Sequence, residues 1–263
     1  MAESRKMNVS MLSEERRREI LELLHSDGRV LVKDLAKRFR TSLITIRKDL
    51  ESLHHDGQLE RTHGGALPLK IGALKDRTPG EKERMHRPEK MRIAAAAAQM
   101  IRQGQVIILD SGTTTMAIAR ACRAFKSLTI ITNATNIAAE LADTPVEVIL
   151  TGGVLRKNSF SLVGPLAEDT LRKVNADLLF LAVDGFDVRY GLTTPNLLEA
   201  RVNRAMAESA RRTVVVCDSS KFGQRSLSLI MPTSAVHETI TDKNIPRNDW
   251  KALKDADVEV RLV

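Results

Sequence analysis

The run Val106-Ile107-Ile108-Leu109 constrains the fold of this chain most. Four consecutive apolar residues, three of them β-branched, suit a parallel strand covered on both faces. The chain then changes character at Asp110-Ser111-Gly112-Thr113-Thr114-Thr115, and a helix is expected from Met116 to Phe125. A helix start behind a buried strand gathers unpaired N–H groups and the positive dipole end in one place, which makes an anion site with phosphate as its natural guest. The same residues also read as an ordinary N-capped turn. No Lys follows the Gly as in a nucleotide P-loop, and the G-x-G-x-x-G of a dinucleotide fold is missing, so the guest left is a small phosphorylated ligand.

Short β-branched runs and helices alternate around this segment. Strands are expected over Leu128–Thr132, Val146–Leu150, Leu178–Val183, Thr213–Val216 and Val236–Thr241. Helices are expected over Met91–Ile101, Asn136–Ala142, Pro165–Val174 and Asn196–Ala210. This alternation implies a mostly parallel sheet with helices on both faces, whose ligands bind at the carboxyl ends of the strands. Polar clusters sit at those ends: Asp110 to Thr114, Thr132-Asn133, Thr151-Gly152-Gly153 with Arg156 beyond, Asp184-Gly185, and Asp218-Ser219-Ser220-Lys221. One such cluster makes a turn; five at equivalent ends converge on a pocket.

With 263 residues, 43% of them hydrophobic, the chain can bury a sizeable core as one small and one larger domain. The net charge of +8 is uneven: residues 1–92 hold 21 Lys or Arg against 15 Asp or Glu, whereas the remainder holds 20 against 18. A basic excess confined to the N-terminal part points to nucleic acid, although a solvated surface gives the same count. No apolar run approaches the roughly 20 residues that span a bilayer, and no signal-peptide pattern opens the chain, so a cytoplasmic protein is expected. Cys122 and Cys217 suit reduced, buried thiols, and the six histidines show no metal-ligand spacing, so neither a metal nor another cofactor is expected.

In the N-terminal part, Ser13 can cap a helix with Glu14 and Glu15 in its first turn and an apolar stripe of Ile20, Leu21, Leu23 and Leu24. Lys33 to Phe39 reads as a second helix and Leu43 to His55 as a third, with Leu43, Ile46, Leu50 and Leu53 facing inward. Two short helices joined by a tight turn, the second opening with Thr45, Arg47 and Lys48, have the geometry of a helix-turn-helix reader. Thr45 and Arg47 would reach base edges while Lys48 meets phosphate. An ordinary three-helix module with a charged face is the competing reading. After Asp56-Gly57, residues Gln58 to Ala66 read as a small hairpin, or wing, with a basic tip.

Thr45-Ile46-Arg47-Lys48-Asp49-Leu50, followed by Arg61-x-His63-Gly64-Gly65-Ala66, resembles the N-terminal winged helix of the DeoR family of bacterial sugar-responsive transcriptional regulators. One departure is Thr41, where the family usually has Val. The DNA contacts are then expected from Ser42, Thr45, Arg47, Lys48, Arg61 and His63. The later stretches are similar to the sensor domain of the same family, so the resemblance runs from Ser13 through nearly the whole chain. It implies phosphate capture by Ser111, Gly112, Thr113 and Thr114, with Lys221 as a charged partner. It has Asp110, Asn133, Asp184, Asn196 and Glu199 contact or frame the sugar, with Gly152, Gly153 and Arg156 at the rim. Asn196-Leu-Leu-Glu199-Ala200-Arg201 and Asp218-Ser-Ser-Lys221-Phe222 most resemble regulators of amino-sugar (N-acetylgalactosamine or galactosamine) catabolism.

The expected architecture is α/β: a winged helix-turn-helix over residues 1–66, a connection over 67–92, and over 93–263 a mostly parallel sensor domain similar to ribose-5-phosphate isomerase. The connection carries Pro68, Gly72, Pro79, Gly80 and Pro88 with charges of both signs. The expected function is repression of a sugar or amino-sugar catabolic operon by a homo-oligomer, dimer or tetramer, that binds operator DNA under control of a phosphorylated sugar. An isomerase-like enzyme is the main alternative, because Asp184-Gly185-x-Asp187 and Asp218-x-x-Lys221 are similar to residues of the isomerase site. The isomerase's glycine-rich Lys segment is missing, however, with Thr194 to Glu199 in its neighbourhood. A pocket fold does not imply its chemistry, and no enzyme activity is expected. The third alternative is a DNA-binding assembly protein without a ligand.

Overall fold

The computed structural model describes residues 13–55, 59–62, 64–68 and 78–263. The chain divides into two compact units, Met1–Gly72 and Ala73–Val263.

The first unit contains α1 (Ser13–Asp27), β1 (Val30–Leu31), α2 (Val32–Arg38), α3 (Leu43–His55), β2 (Leu59–Thr62) and β3 (Gly65–Pro68). Ile20 and Leu24 of α1, Leu35 and Ala36 of α2, and Ile46, Leu50 and Leu53 of α3 form its core, closed by Leu59 and Ala66 of the wing. Leu43 departs from the expected stripe: it is 41% exposed, because it stands at the first position of α3 beyond the reach of α1. Strands β2 and β3 form an antiparallel hairpin, and β3 also pairs with β1, Leu31 opposite Gly65. A Cβ at Gly65 would lie 1.9 Å from the Val30 carbonyl oxygen, so only glycine lets β1 close on the wing. Asp49 fixes α3 to α1: its buried carboxylate accepts from Arg16 at 2.6 and 3.2 Å and from Arg17 at 3.4 Å.

The second unit opens with two helices, α4 (Pro79–Arg84) and α5 (Arg87–Ala98), within and beyond the stretch expected as a connection. Thr78 and Glu81 form a reciprocal capping box that starts α4, so the Pro79-Gly80 pair initiates a helix rather than interrupting one. The alternation then runs β4 (Val106–Leu109), α6 (Thr113–Cys122), β5 (Thr129–Thr132), α7 (Thr135–Leu141), β6 (Glu147–Leu150), β7 (Val154–Arg156), β8 (Ser161–Val163), α8 (Pro165–Leu171) and β9 (Ala176–Leu181). It continues with β10 (Gly185–Asp187), β11 (Gly191–Thr194), α9 (Leu197–Glu208), β12 (Ala210–Val216), β13 (Ser228–Met231), β14 (Glu238–Thr241), α10 (Arg247–Asp255) and β15 (Glu259–Leu262). Helix α6 begins at Thr113, three residues before the expected start, so the threonines form its first turn.

Seven strands make one sheet in the order β15-β14-β12-β9-β4-β5-β6, every adjacent pair parallel. Alternate side chains serve opposite cores. Ile107, Leu109 and Phe180 pack with α5, α6 and α7 on one face, whereas Ile108, Leu179 and Leu181 pack with α8 and α9 on the other. An antiparallel sheet β10-β11-β13 and the hairpin β7-β8 complete the unit. These short strands were not expected, because three or four residues are too few for a clear two-residue period. Cys122 and Cys217 are both free and buried.

Candidate functional site

The chain order of the sheet reverses at β4. Strands β5 and β6 build outward on one side of it, and β9, β12, β14 and β15 on the other. In an open α/β sheet the loops that leave the strands part company at such a point and open a crevice at their carboxyl ends. A cleft of about 730 Å³, counting space open to solvent, lies there. Segments following β4 (Asp110 to Thr114), β9 (Ala182 to Asp184) and β12 (Cys217, Asp218, Lys221) line it, with Lys82, Met85, His86 and Lys90 from the helical stretch before the sheet.

One wall is cationic. Gly112 precedes α6 with no side-chain cap, which leaves the first turn of the helix facing the cleft through Thr113 and Thr114. A Cβ on Gly112 would come 2.8 Å from the Ala182 Cβ and 3.1 Å from the Thr115 Oγ1, so its hydrogen is what lets α6 start this close to the end of β9. Lys90 donates to the carbonyl of Met85 at 2.7 Å and also to that of Lys82. Burial lowers its ammonium to about 8, a shift opposed by Asp218 and reinforced by Lys221 and Lys82. Lys221 is presented by a short turn that Asp218 caps through the Ser220 N–H at 3.1 Å.

The other wall is acidic. Asp110 is buried, accepts from the Asn203 side-chain amide at 3.3 Å, and is raised well above the ordinary carboxyl value by burial and then by the charge of Glu199. Glu199 accepts from Arg156 at 3.1 Å, from Ser161 at 2.9 Å and from the Ser159 hydroxyl, and lies 3.3 Å from the Thr194 hydroxyl. Asp184 accepts from Lys82 at 2.6 Å. The cleft therefore offers cations and helix N–H groups together with carboxylates and hydroxyls, and Lys82 and Asp184 pair within it.

The cleft thus brings together Asp110, Ser111, Gly112, Thr113, Thr114, Asp184, Glu199 and Lys221 of the residues expected from sequence. The others do not line it. Asn196 caps α9, its side-chain oxygen accepting from the backbone N–H groups of Leu198 and Glu199 at 3.0 and 3.1 Å. Arg156 reaches Glu199 from β7, and Gly153 lets the chain pass Val163, where a Cβ would meet the carbonyl oxygen at 2.7 Å. Gly152 stands beside it with φ 75°. Asn133 is fully buried, and neither side-chain amide atom has a hydrogen-bond partner among the described residues. The lining residues Lys82, His86, Lys90, Ser159, Thr194 and Asn203 were not expected. Only Thr194 and Asn203 lie near a motif, and the lysines fall in the stretch read as a connection.

In the first unit Ser42 caps α3, accepting from the Thr45 N–H at 3.0 Å, and the two hydroxyls lie 2.9 Å apart. Arg47 and Lys48 are exposed on the first turns of α3 and Thr45 is half-buried. Arg61 on β2 is not splayed outward: its guanidinium donates to Glu51 of α3 and to the Arg47 carbonyl, which braces the wing against the helix. His63 lies outside the described residues.

A helix-turn-helix unit with a small antiparallel wing, carried on a chain with a doubly wound α/β unit and a polar cleft, defines a two-part DNA-binding regulator architecture. Residues 16–71 match the DeoR-like helix-turn-helix domain and residues 85–243 the DeoR C terminal sensor domain. The chain belongs to the DeoR family of DNA-binding transcriptional regulators, and it is a regulator rather than an enzyme.

A protein of Escherichia coli O157:H7 named for transcriptional repression of the aga operon is 40% identical over 95% of this chain and 93% of its own length. The HTH-type transcriptional regulator GlpR of Haloferax volcanii is 40% identical over 95% of this chain and 98% of its own. The glycerol-3-phosphate regulon repressor of Escherichia coli K12 is 31% identical over 96% and 100%. Among solved structures, ribose 5 phosphate isomerase A from Neisseria gonorrhoeae aligns over 52% of this chain and 53% of its own with TM-score 0.38 and 13% identity, a likeness too slight to carry an argument. No helix among the described residues is long and apolar enough to cross a membrane.

Proposed function

We propose that this protein is a repressor of a sugar or amino-sugar catabolic operon, released or retained on its operator by a phosphorylated sugar bound in the cleft of the α/β unit. The observation that carries the reading is the juxtaposition of an uncapped helix start and three lysines with a carboxylate- and hydroxyl-lined wall. A phosphate meets the first turn of α6 through Ser111, Gly112, Thr113 and Thr114, with Lys90 and Lys221 supplying charge. The sugar hydroxyls face Asp110, Asp184 and Glu199. Arg156 and Asn196 hold Glu199 in that wall, Asn133 frames the sugar, and Gly152 and Gly153 shape the rim. The relative named for the glycerol-3-phosphate regulon and the one named for the aga operon support a phosphorylated polyol or sugar as effector.

Acting in the cytoplasm, the DNA-binding unit reads operator base edges with Thr45 and Arg47 and phosphates with Ser42, Lys48 and the wing residue His63, while Arg61 holds the wing against α3. A homo-oligomer places paired units on repeated or palindromic half-sites. For the effector to relieve repression it must bind the DNA-incompetent arrangement more tightly, and a tenfold loss of operator affinity needs about 1.4 kcal/mol of coupling. Thermal unfolding against hexose, amino-sugar and pentose phosphates, beside their unphosphorylated parents, tests the reading. A ligand at 100 times its Kd adds about 2.7 kcal/mol, and the expected outcome is a shift with one phosphorylated sugar but not with its parent. Equal shifts with both would remove the phosphate from the mechanism.

A further inference from the structure

We propose, resting on the sensor reading above, that α4 belongs to the effector site as a strap that a bound phosphate fastens across the cleft through Lys82. From Thr78 to Pro88 no residue is buried, so core packing does not hold this stretch in place. Polar ties hold it instead. Lys82 donates to Asp184 at 2.6 Å, Lys90 donates from α5 to the carbonyls of Lys82 and Met85, and Glu83 lies 3.8 Å from Arg120 of α6. Lys82 and Asp184 are both partly in solvent, where an ion pair by itself stabilises little. Helix α5, by contrast, is seated in the core through Ile93, Ala94 and Ala97. Between the two helices stands His86 with φ 52°, uncommon for a residue with a side chain. The change of direction is concentrated there, which makes this junction the hinge of the strap.

Proton counting gives the direction. An ammonium carries three N–H donors. Among the described residues Lys82 gives one of them to Asp184 and Lys90 gives two to backbone carbonyls, so both keep donors for a ligand, and both line the cleft. Lys82 and Lys221 also press on the Lys90 ammonium as like charges. A phosphate among the three lysines removes that repulsion and takes up the remaining donors without displacing α4 from Asp184. The chain leaves the α/β unit for the DNA-binding unit by way of α4. Fastening the strap therefore moves the edge of the firmly held unit from Arg87 back to Thr78, and the state of the cleft reaches the DNA-binding unit along the chain itself.

Hydrogen exchange of the full chain, alone and with inorganic phosphate, glucose 6-phosphate, galactosamine 6-phosphate or glycerol 3-phosphate, tests this. A probe that raises the melting temperature should slow the amides between Thr78 and His86 roughly tenfold, equal to about 1.4 kcal/mol of local stability, while those of α1 keep their rate. A raised melting temperature with unchanged exchange in α4 overturns the strap and leaves the sensor reading standing. Lys82→Met keeps the length of the side chain and removes its charge. Without any probe its α4 amides should exchange roughly two- to fivefold faster than in the wild type, as expected for the loss of a partly exposed ion pair. Exchange at the wild-type rate would mean that Lys82 does not hold α4. If no probe raises the melting temperature, the sensor reading fails and the fastening falls with it, and Lys82→Met alone decides whether Lys82 ties α4 to the cleft.

Discussion

Gly112 shows how one missing side chain shapes the cleft. Its added Cβ in Gly112→Ala would meet Ala182 at 2.8 Å, so β9 or α6 must give way. The expected cost is about 1–3 kcal/mol of stability, as for other overpacked contacts. Chemical denaturation measures it, and an unchanged midpoint would mean that the two elements separate freely. Lys90 makes the cleft sensitive to pH. Its folded value of about 8 lies below its ordinary 10.5, so from about pH 8 to 10.5 the unfolded chain holds the extra proton and Lys90 adds stability as pH rises. A bound phosphate reverses the preference by raising Lys90 again. Effector affinity should therefore fall as pH climbs through about 8, by up to tenfold per unit, with proton uptake on binding visible as a buffer-dependent heat in calorimetry. Buffer-independent heats at pH 8 would remove Lys90 from the phosphate contact. The charges around it, Asp218 and Lys221 from one segment and Lys82 and Glu83 from another, lie far apart in sequence, which is why no local pattern revealed it.

Among elements, α9 carries a longer chain of consequence. Asn196 caps it and thereby sets the direction of Glu199 one turn on, where Arg156, Ser159 and Ser161 converge. Asn196→Ala should cost about 1 kcal/mol, the usual value of a lost N-cap. It should also weaken effector binding without removing any group that lines the cleft. A full-strength response in a destabilised variant would show that Glu199 is held by its partners alone. The helices expected from sequence are present with ends shifted by a few residues, since side-chain period marks a helix interior better than its caps. Arg61 was read as a wing contact to DNA, and its bond to Glu51 is a contact between elements that no spacing displays.

Across the molecule, two units with separate cores divide the work. Arg47→Ala removes an exposed group on the first turns of α3 and leaves the cleft untouched. Operator affinity should drop by about 1–3 kcal/mol, roughly 10- to 100-fold, while the thermal shift with effector stays at the wild-type size. Loss of that thermal shift as well would mean that the units do not act separately.

The alternation of the main strands and helices, the parallel sheet, the helix-turn-helix and the cleft-lining run Ser111 to Thr114 were all legible in the residues, because each is written within a few contiguous positions. A buried strand must be continuously apolar, and a helix start that faces an anion must be small and polar. The cleft lysines of α4 and α5 and the partners that converge on Glu199 from β7, β8 and the loop between them were not legible. Each depends on chain segments far apart in sequence and joined only when the sheet order reverses at β4. Periodicity reports the face a residue turns to its own element, whereas the partner on the far side of that face is set by packing.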